Sequence, residues 1–519
     1  MKLKRLLVCA VVASICSVAA MAQSDAVKKI IEIGTTDNQV MKHLDILTNR
    51  FGGRMVGSDA FENASEWVMR EFKSWGLDVR QEEAGETCVG FNRGPWFGRL
   101  LGGDQAMTLH FVTPSYTSGT KGLQQGHVLI EPKSEKELQK MKHALKGAWV
   151  LISGKSTGFP LDHTAKGDSI RDAVKAENAQ IEEENMKKMH EMFASGKRPD
   201  PSSMTPLKEE PGLFYKEMIE AGVLGFIQSA SVPLRALYDR PMLREGVTTF
   251  DDLPTVPEIK LDEHQYEIIK QMAKERREFL LEFDIRNYFK IGPVKYHNII
   301  GSIKGSKYPD EYVIVSAHLD SYDSASGAID CGTGMGPLLE AARLISLSGA
   351  KPKRTILFIA FAAEEFGLLG AHAYAKAHKD ELDKISNLFN RDGGPMPPVG
   401  IEVPQAMYDD FVKICEPVKD INKDFPFEVK VMQPRPRPTK TGGTDATVFA
   451  VEGVPTLGFR EEDVKGYNFD YQEIWHTERD RYDHEIPEYQ EQAAVVTAVV
   501  ALGVANLDHQ LSREGLFAE

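Results

Sequence analysis

The residues of this chain with the clearest capacity for chemistry are His318, Asp320, Asp330, Glu364, Glu365 and Asp392. His318 and Asp320 come just after an apolar run at 312–316, and Asp330 falls in a loop carrying Gly327, Gly332, Gly334 and Gly336. Glu364 and Glu365 follow the apolar run 355–361, and Asp392 lies beyond Leu388-Phe389. Each alone says little, since a histidine after a strand is usually a satisfied polar residue and paired glutamates are usually solvated. Two carboxylates closing a fully apolar strand are costly unless something compensates them, and a dication does so. Neighbouring side chains point in different directions, so one glutamate can bind metal while the other faces a substrate. Imidazole and carboxylate donors without a thiolate cluster suit catalytic zinc, or another hard-to-borderline divalent ion.

Such groups need elements that end beside one another. Residues 312–316 and 355–361 read as buried strands, with helices over 336–347 and 368–377 after them. Continuous apolar strands alternating with helices describe a parallel or mixed sheet covered on both faces, and ligands gather at the carboxyl ends of its strands. Upstream, Phe61, Ala64, Trp67, Val68, Phe72 and Trp75 fall close to one helical face, behind a tight loop at Gly52-Gly53-Arg54 and Gly57. From about 110 to 285 the character changes to short strands near 127–130, 149–153 and 223–227, with a helix at 215–222. Within it, the charged stretch 163–210 reads as a solvated helix followed by a Pro-rich loop.

The motifs His318-Leu319-Asp320, Gly327-Ala328-Ile329-Asp330, Glu364-Glu365-Phe366-Gly367 and Trp475-His476-Thr477 with Asp480 occur in that order. Together they resemble the co-catalytic zinc exopeptidases that include bacterial leucyl aminopeptidases. The closer likeness, through residues 353–356 and Arg391-Asp392-Gly393-Gly394, is to the plasma glutamate carboxypeptidase-like branch. The resemblance implies a zinc exopeptidase fold, α/β with a mixed, mostly parallel sheet flanked by helices, and two zinc ions. It makes Asp330 the bridging carboxylate, Glu365 and His476 ligands of one zinc, and His318 and Asp392 ligands of the other. Asp320 then fixes the tautomer of His318, and Glu364 is the general base acting on metal-activated water. The residue after the bridging aspartate is often acidic in this family and is Cys331 here, which puts the usual hydrogen bonding there in doubt. Residues 145–152 and 221–227 resemble a β-rich protease-associated domain, giving the division 1–22 leader, 23–110 and 286–519 peptidase, and 111–285 insert. Thr444 and Asp445 resemble the family's substrate loop, although Ala446 stands where histidine is common, and Arg391 or Arg460 could pair with a terminal carboxylate.

Residues 1–22 read as an export signal: Lys2, Lys4 and Arg5, an apolar stretch over 6–15, and Ala20-Met21-Ala22 before a cut near Gln23. The expectation is a periplasmic or secreted protein with no stable membrane insertion once the signal is gone. Losing those residues, which include no acid, takes the formal charge from -14 to -17 and argues against nucleic acid as a partner. Cys88, Cys331 and Cys415 are too few for a disulfide framework. The expected partner is a peptide, with oligomerisation left open. Competing readings are a glutaminyl cyclase-like transferase, which shares the fold but typically uses one zinc, and a non-catalytic binding protein that would have lost ligands. Neither the peptide terminus trimmed nor the side-chain preference follows from the sequence.

Overall fold

The computed structural model describes residues 24–102, 106–162, 165–196, 198, 200–237 and 250–518, so the expected leader lies outside the described residues. The chain divides into two compact units, one of residues 24–87, 293–475 and 479–518, the other of 88–292 and 476–478.

The first unit is built on a five-stranded sheet. Its strands are β1 (Asp78–Asn92), β2 (Tyr288–Ile303), β3 (Tyr308–His318), β4 (Arg354–Phe361) and β5 (Ile385–Asn390), in the spatial order β1-β2-β4-β3-β5. β3 runs parallel to both neighbours, pairing His318 with Phe361 and Ser316 with Asn390. β2 is antiparallel to β4, with Ile299 opposite Ala360. All eight residues of β4 are buried, as a two-sided parallel strand requires. Leu357, Ile359 and Phe361 pack on one face with Leu368, Ala371, Tyr374 and Phe449. Phe358, of opposite parity, has its ring 6.3 Å from that of Phe72. Phe72 belongs to α1 (Asp59–Ser74), whose Ser58 hydroxyl caps the Phe61 N–H and whose buried residues match the expected face, with Trp75 left as the half-buried C-cap. α2 (Thr333–Leu347) and α4 (Pro487–Ala505) pack together, while α3 (Leu369–Ala377) follows β4 closely. α4 is apolar and buried almost throughout; among the described residues no helix is long and apolar enough to cross a membrane.

The consequence for chemistry is that β3, β4 and β5 end side by side. β3 is longer than the apolar run suggested, so His318 is its last residue rather than a loop residue beyond it.

The second unit carries an eight-stranded sheet whose central strands Gln124–Ile130, Ala148–Ser156, Gly225–Ala230 and Glu258–Asp262 are parallel. It opens earlier than residue 111 because Trp96–Leu101 pairs with Leu280–Ile285. The charged stretch forms a helix, Ala165–Ala194. The following loop runs back along it, held by the Asn178 and Asn185 side chains on the backbone of Lys208 and Thr205. Cys331 and Cys415 are free thiols.

Candidate metal centre

At the end of β3, the Nε2 atom of His318 lies 3.2 Å from Asp330 Oδ1 and 3.3 Å from Asp392 Oδ1. Donor atoms of His318, Asp330 and Glu365 fall within 4.8 Å of one another, and so do those of His318, Cys331 and Asp392. Hence His318, Asp330, Glu365 and Asp392 are brought together from four separate segments by the parallel ends of the sheet. All are buried or nearly so.

The tautomer of His318 is set by a main-chain group. Its Nδ1 is 2.9 Å from the carbonyl oxygen of Asp320, which leaves Nε2 available as a donor to a metal. The Asp320 carboxylate, expected to do this, stands 3.8 Å from Nδ1 and instead accepts the backbone N–H groups of Glu364 and Glu365 at 3.1 and 3.2 Å. It therefore ties the end of β3 to the turn after β4. That turn is bracketed by Ala363 and Leu368, both with left-handed backbone (φ 57° and 61°), a conformation that costs free energy in non-glycine residues and recurs at functional sites.

The loop bearing Asp330 is clamped twice. Asp480 accepts the N–H groups of Ile329 (2.6 Å) and Asp330 (3.3 Å). Arg54, fully buried, donates to the carbonyls of Leu319, Ser326 and Gly327 at 2.7, 2.9 and 2.8 Å. Two glycines are needed here. Gly327 has φ 63°, and a Cβ would meet Ser321 at 2.3 Å; one on Gly334 would meet the Arg391 carbonyl at 2.2 Å. Arg54 escaped the sequence reading, where it looked like part of a turn; the signal available was an arginine inside a glycine loop next to apolar helices.

Electrostatically the centre is short of positive charge. Burial pushes the carboxyls of Asp320, Glu364 and Asp445 above their ordinary range; the His318 charge opposes this in each case, while Asp392 adds to the rise in Glu364 and Asp445. Asp480 is pushed up to about 7 by burial and by Asp330. Burial works against a charged His318, yet the facing Cys331, Asp392 and Asp330 raise its pKa well above the ordinary value. A divalent cation answers this arrangement, and a buried imidazole–carboxylate donor set fits zinc. Cys331, where an acid was the expectation, donates its thiol to the Arg391 carbonyl at 3.2 Å, and burial holds it up at about 11.

Of the candidate substrate residues, Arg391 needs correction. Its guanidinium is spent on the carbonyls of Thr333 (2.9 Å), Met396 (2.8 Å) and Gly394 (3.3 Å) and on Glu461, so it is a strut of the site. Thr444 accepts a hydrogen bond from Asn390 at 2.6 Å, which joins its loop to the end of β5. Asp445 is fully buried, with no hydrogen-bond partner for either carboxylate oxygen among the described residues. Arg460 pairs with Glu462. His476 is half-buried with a left-handed backbone (φ 58°), and residues 476–478 group with the second unit.

Residues 298–501 match the model of peptidase family M28, and that part of the chain is similar to the co-catalytic zinc exopeptidases. Among curated proteins it is 28% identical over 319 residues to carboxypeptidase Q of Mus musculus, covering 59% of this chain and 63%, under two thirds, of that protein. Carboxypeptidase Q of Xenopus laevis is 23% identical over 510 residues, covering 94% and 91% of the two chains. A solved structure, the peptidase M28 precursor from Shewanella amazonensis, superposes with a TM-score of 0.56 at 23% identity, covering 95% of this chain and 99% of that one. The mixed α/β fold expected from the motifs is thus the fold found.

Proposed function

We propose that this chain is an exported exopeptidase that hydrolyses terminal peptide bonds with two zinc ions. The observation that carries the reading is the crowding of buried Asp330, Glu365 and Asp392 donors around Nε2 of His318. His318, Asp330, Glu365 and Asp392 would hold the metal, with His476 a further donor that the family resemblance implies. Zinc held there supplies a Lewis acid and acidifies water near neutral pH.

The chain's own residues do the rest. Glu364 is held by Asp320 at the mouth of the turn beside the ligand Glu365. A divalent cation held by these acids would favour the charged form of Glu364, opposing the burial that raises its pKa. Glu364 takes a proton from the water whose oxygen attacks the scissile carbonyl carbon. It returns that proton to the nitrogen of the departing amine as the C–N bond breaks, so no covalent bond to the enzyme is needed. Asp320 and Arg54 are positioning residues that fix, respectively, the Glu364 turn and the Asp330 loop.

The signal-like residues 1–22 support export with a mature terminus near Gln23. The parallel-stranded insert is read as protease-associated, and the name of the curated relatives favours trimming at the carboxyl end.

The test is elemental analysis of zinc-replete protein together with mass spectrometry of a mixed peptide set. The expected result is close to two zinc per chain and release of a single terminal amino acid. One zinc with pyroglutamate formation would replace this reading by the cyclase; zinc without any turnover would leave a binding protein.

A further inference from the structure

Beside the metal centre, within the first unit, lies a pocket of about 600 Å³ bordered by Asp392 and Thr444. Its opposite wall comes from segments that the mechanism does not use. Arg435 stands in the run Pro434-Arg435-Pro436, where the flanking prolines restrict the backbone. Its main chain is bridged to Phe517 and accepts the N–H of Ala518 at 2.8 Å, so the chain's last residues help build the wall. Arg437, two residues on, is used up on the Val451 carbonyl at 2.9 and 2.6 Å. Arg435 has no such use: among the described residues its guanidinium has neither an ion pair nor a hydrogen bond. Arg460, on the strand Phe459–Glu461, gives Nη1 to Glu462, while its Nε is buried without a hydrogen-bond partner among the described residues. Arg460 is balanced by Glu462, so with Asp392 committed to metal the guanidinium of Arg435 and the buried Nε of Arg460 remain to meet an anion, with Glu402 the other acid in the wall.

Resting on the peptidase reading above, we infer that this pocket is the subsite for a carboxylate on the substrate, bound by Arg435 and Arg460. The carboxylate is either the free α-carboxylate of a short peptide or an acidic side chain next to the scissile bond. Guanidinium groups held on stiff backbone suit planar, forked recognition of that group. A carboxylate also satisfies the buried Nε of Arg460, which a neutral group does less well.

The experiment uses the zinc-loaded full chain and four substrates sharing one scissile bond: a peptide ending in glutamate, its glutamine counterpart, and the C-terminal amide of each. Amidation lowering kcat/KM identifies the α-carboxylate; glutamate-to-glutamine exchange lowering it identifies the side chain. Arg435→Gln, at an exposed position that leaves the core intact, is expected to raise KM about 10- to 100-fold for the preferred anionic substrate only. Arg460→Lys should do so with a smaller loss. Equal rates on all four substrates, or an equal loss on all four in Arg435→Gln, overturn the inference. Should no peptide be cleaved, calorimetric titration with N-acetylglutamate and N-acetylglutamine amide separates the two claims. Tighter binding of the anion that Arg435→Gln abolishes keeps the subsite while the peptidase reading falls. No preference for the anion removes the subsite.

Discussion

Both units of this molecule carry buried charged side chains on or beside parallel strands, and they treat the charge in different ways. In the insert, buried Lys260, Glu258 and Glu131 each have hydrogen-bond partners. Lys260, almost wholly buried, donates to Gln228 at 3.0 Å and sits 3.7 Å from Glu258, which accepts the Leu161 N–H at 2.7 Å. Glu131 accepts the N–H groups of Ser153 and Gly212 at 2.6 and 2.9 Å. In the peptidase unit acids face one another around a single imidazole. Among the described residues, no lysine or arginine forms an ion pair with Glu364, Asp392 or Asp445. Burial without complement is expensive and persists only where a ligand supplies the missing charge. Charge placement thus distinguishes a scaffold from a site even where strand topology is alike.

The sharpest way to break the contrast is at Glu364. Glu364→Gln should keep zinc content and thermal midpoint while peptide turnover at saturating zinc falls about 10²- to 10⁴-fold, the range for losing a general base. Glu365→Gln should lose zinc affinity and stability along with rate. Loss of zinc in Glu364→Gln with retention in Glu365→Gln would reverse the roles.

Zinc removal comes next. Ions bound at a thousand times their dissociation constant stabilise by about 4 kcal/mol. Chelation should speed amide exchange at the ends of β3 and β4 and in the loop around Asp330. Exchange in the insert strands Ala148–Ser156 and Gly225–Ala230 should not change. Uniform acceleration in both units would mean that the acids around His318 are no less compensated than the insert's.

The converse perturbation is Lys260→Met. Removing one partner of a buried pair typically costs about 3–5 kcal/mol. Because Glu258 keeps the Leu161 N–H and the Tyr215 hydroxyl at 3.4 Å, the lower end, about 3 kcal/mol, is expected by the same principle. Denaturant unfolding should register it, with zinc stoichiometry unchanged.

What could be read in the sequence follows the same division between local and distant causes. β4 and α1 were legible because their apolar periodicity is a property of neighbouring residues. The candidate ligands were legible because strand ends place them. Arg54 and the Arg391 strut were not, since their roles depend on carbonyls from distant segments, such as Leu319 and Gly327 for Arg54. Asp320 was read as the partner of an imidazole and turned out to hold two backbone N–H groups, a distinction only the fold of the turn could make. The proposed anion-binding pocket depends on residues from Asn390 to Phe517, and no motif spans it.

The smallest effect expected concerns a neutralised pair within the peptidase unit, away from the acids of the centre. His378, just after α3, has Nε2 2.9 Å from Glu82 and Nδ1 2.8 Å from Glu381, and its ring stacks on Tyr374. The Glu82 hydrogen bond raises its pKa above the ordinary 6.5, against burial, with Glu381 adding to the rise. For Glu82, burial works upward, but the hydrogen bonds from His378 and Arg80 prevail and lower it below 4.5. The histidine's contribution is therefore complete below pH 6.5 and disappears as pH rises through its folded-state value. The glutamate's is complete above pH 4.5 and disappears as pH falls through its lowered value. Between those limits both are present. His378→Gln keeps hydrogen-bonding capacity without charge, so the stability difference between the native chain and the variant should peak near pH 5–6 and shrink toward pH 8. Partial exposure of the pair holds it to about 1 kcal/mol or less. Thermal unfolding of both proteins across that range, with zinc saturating throughout, measures it. A difference that stays constant with pH would assign the effect to the Tyr374 stacking rather than to charge.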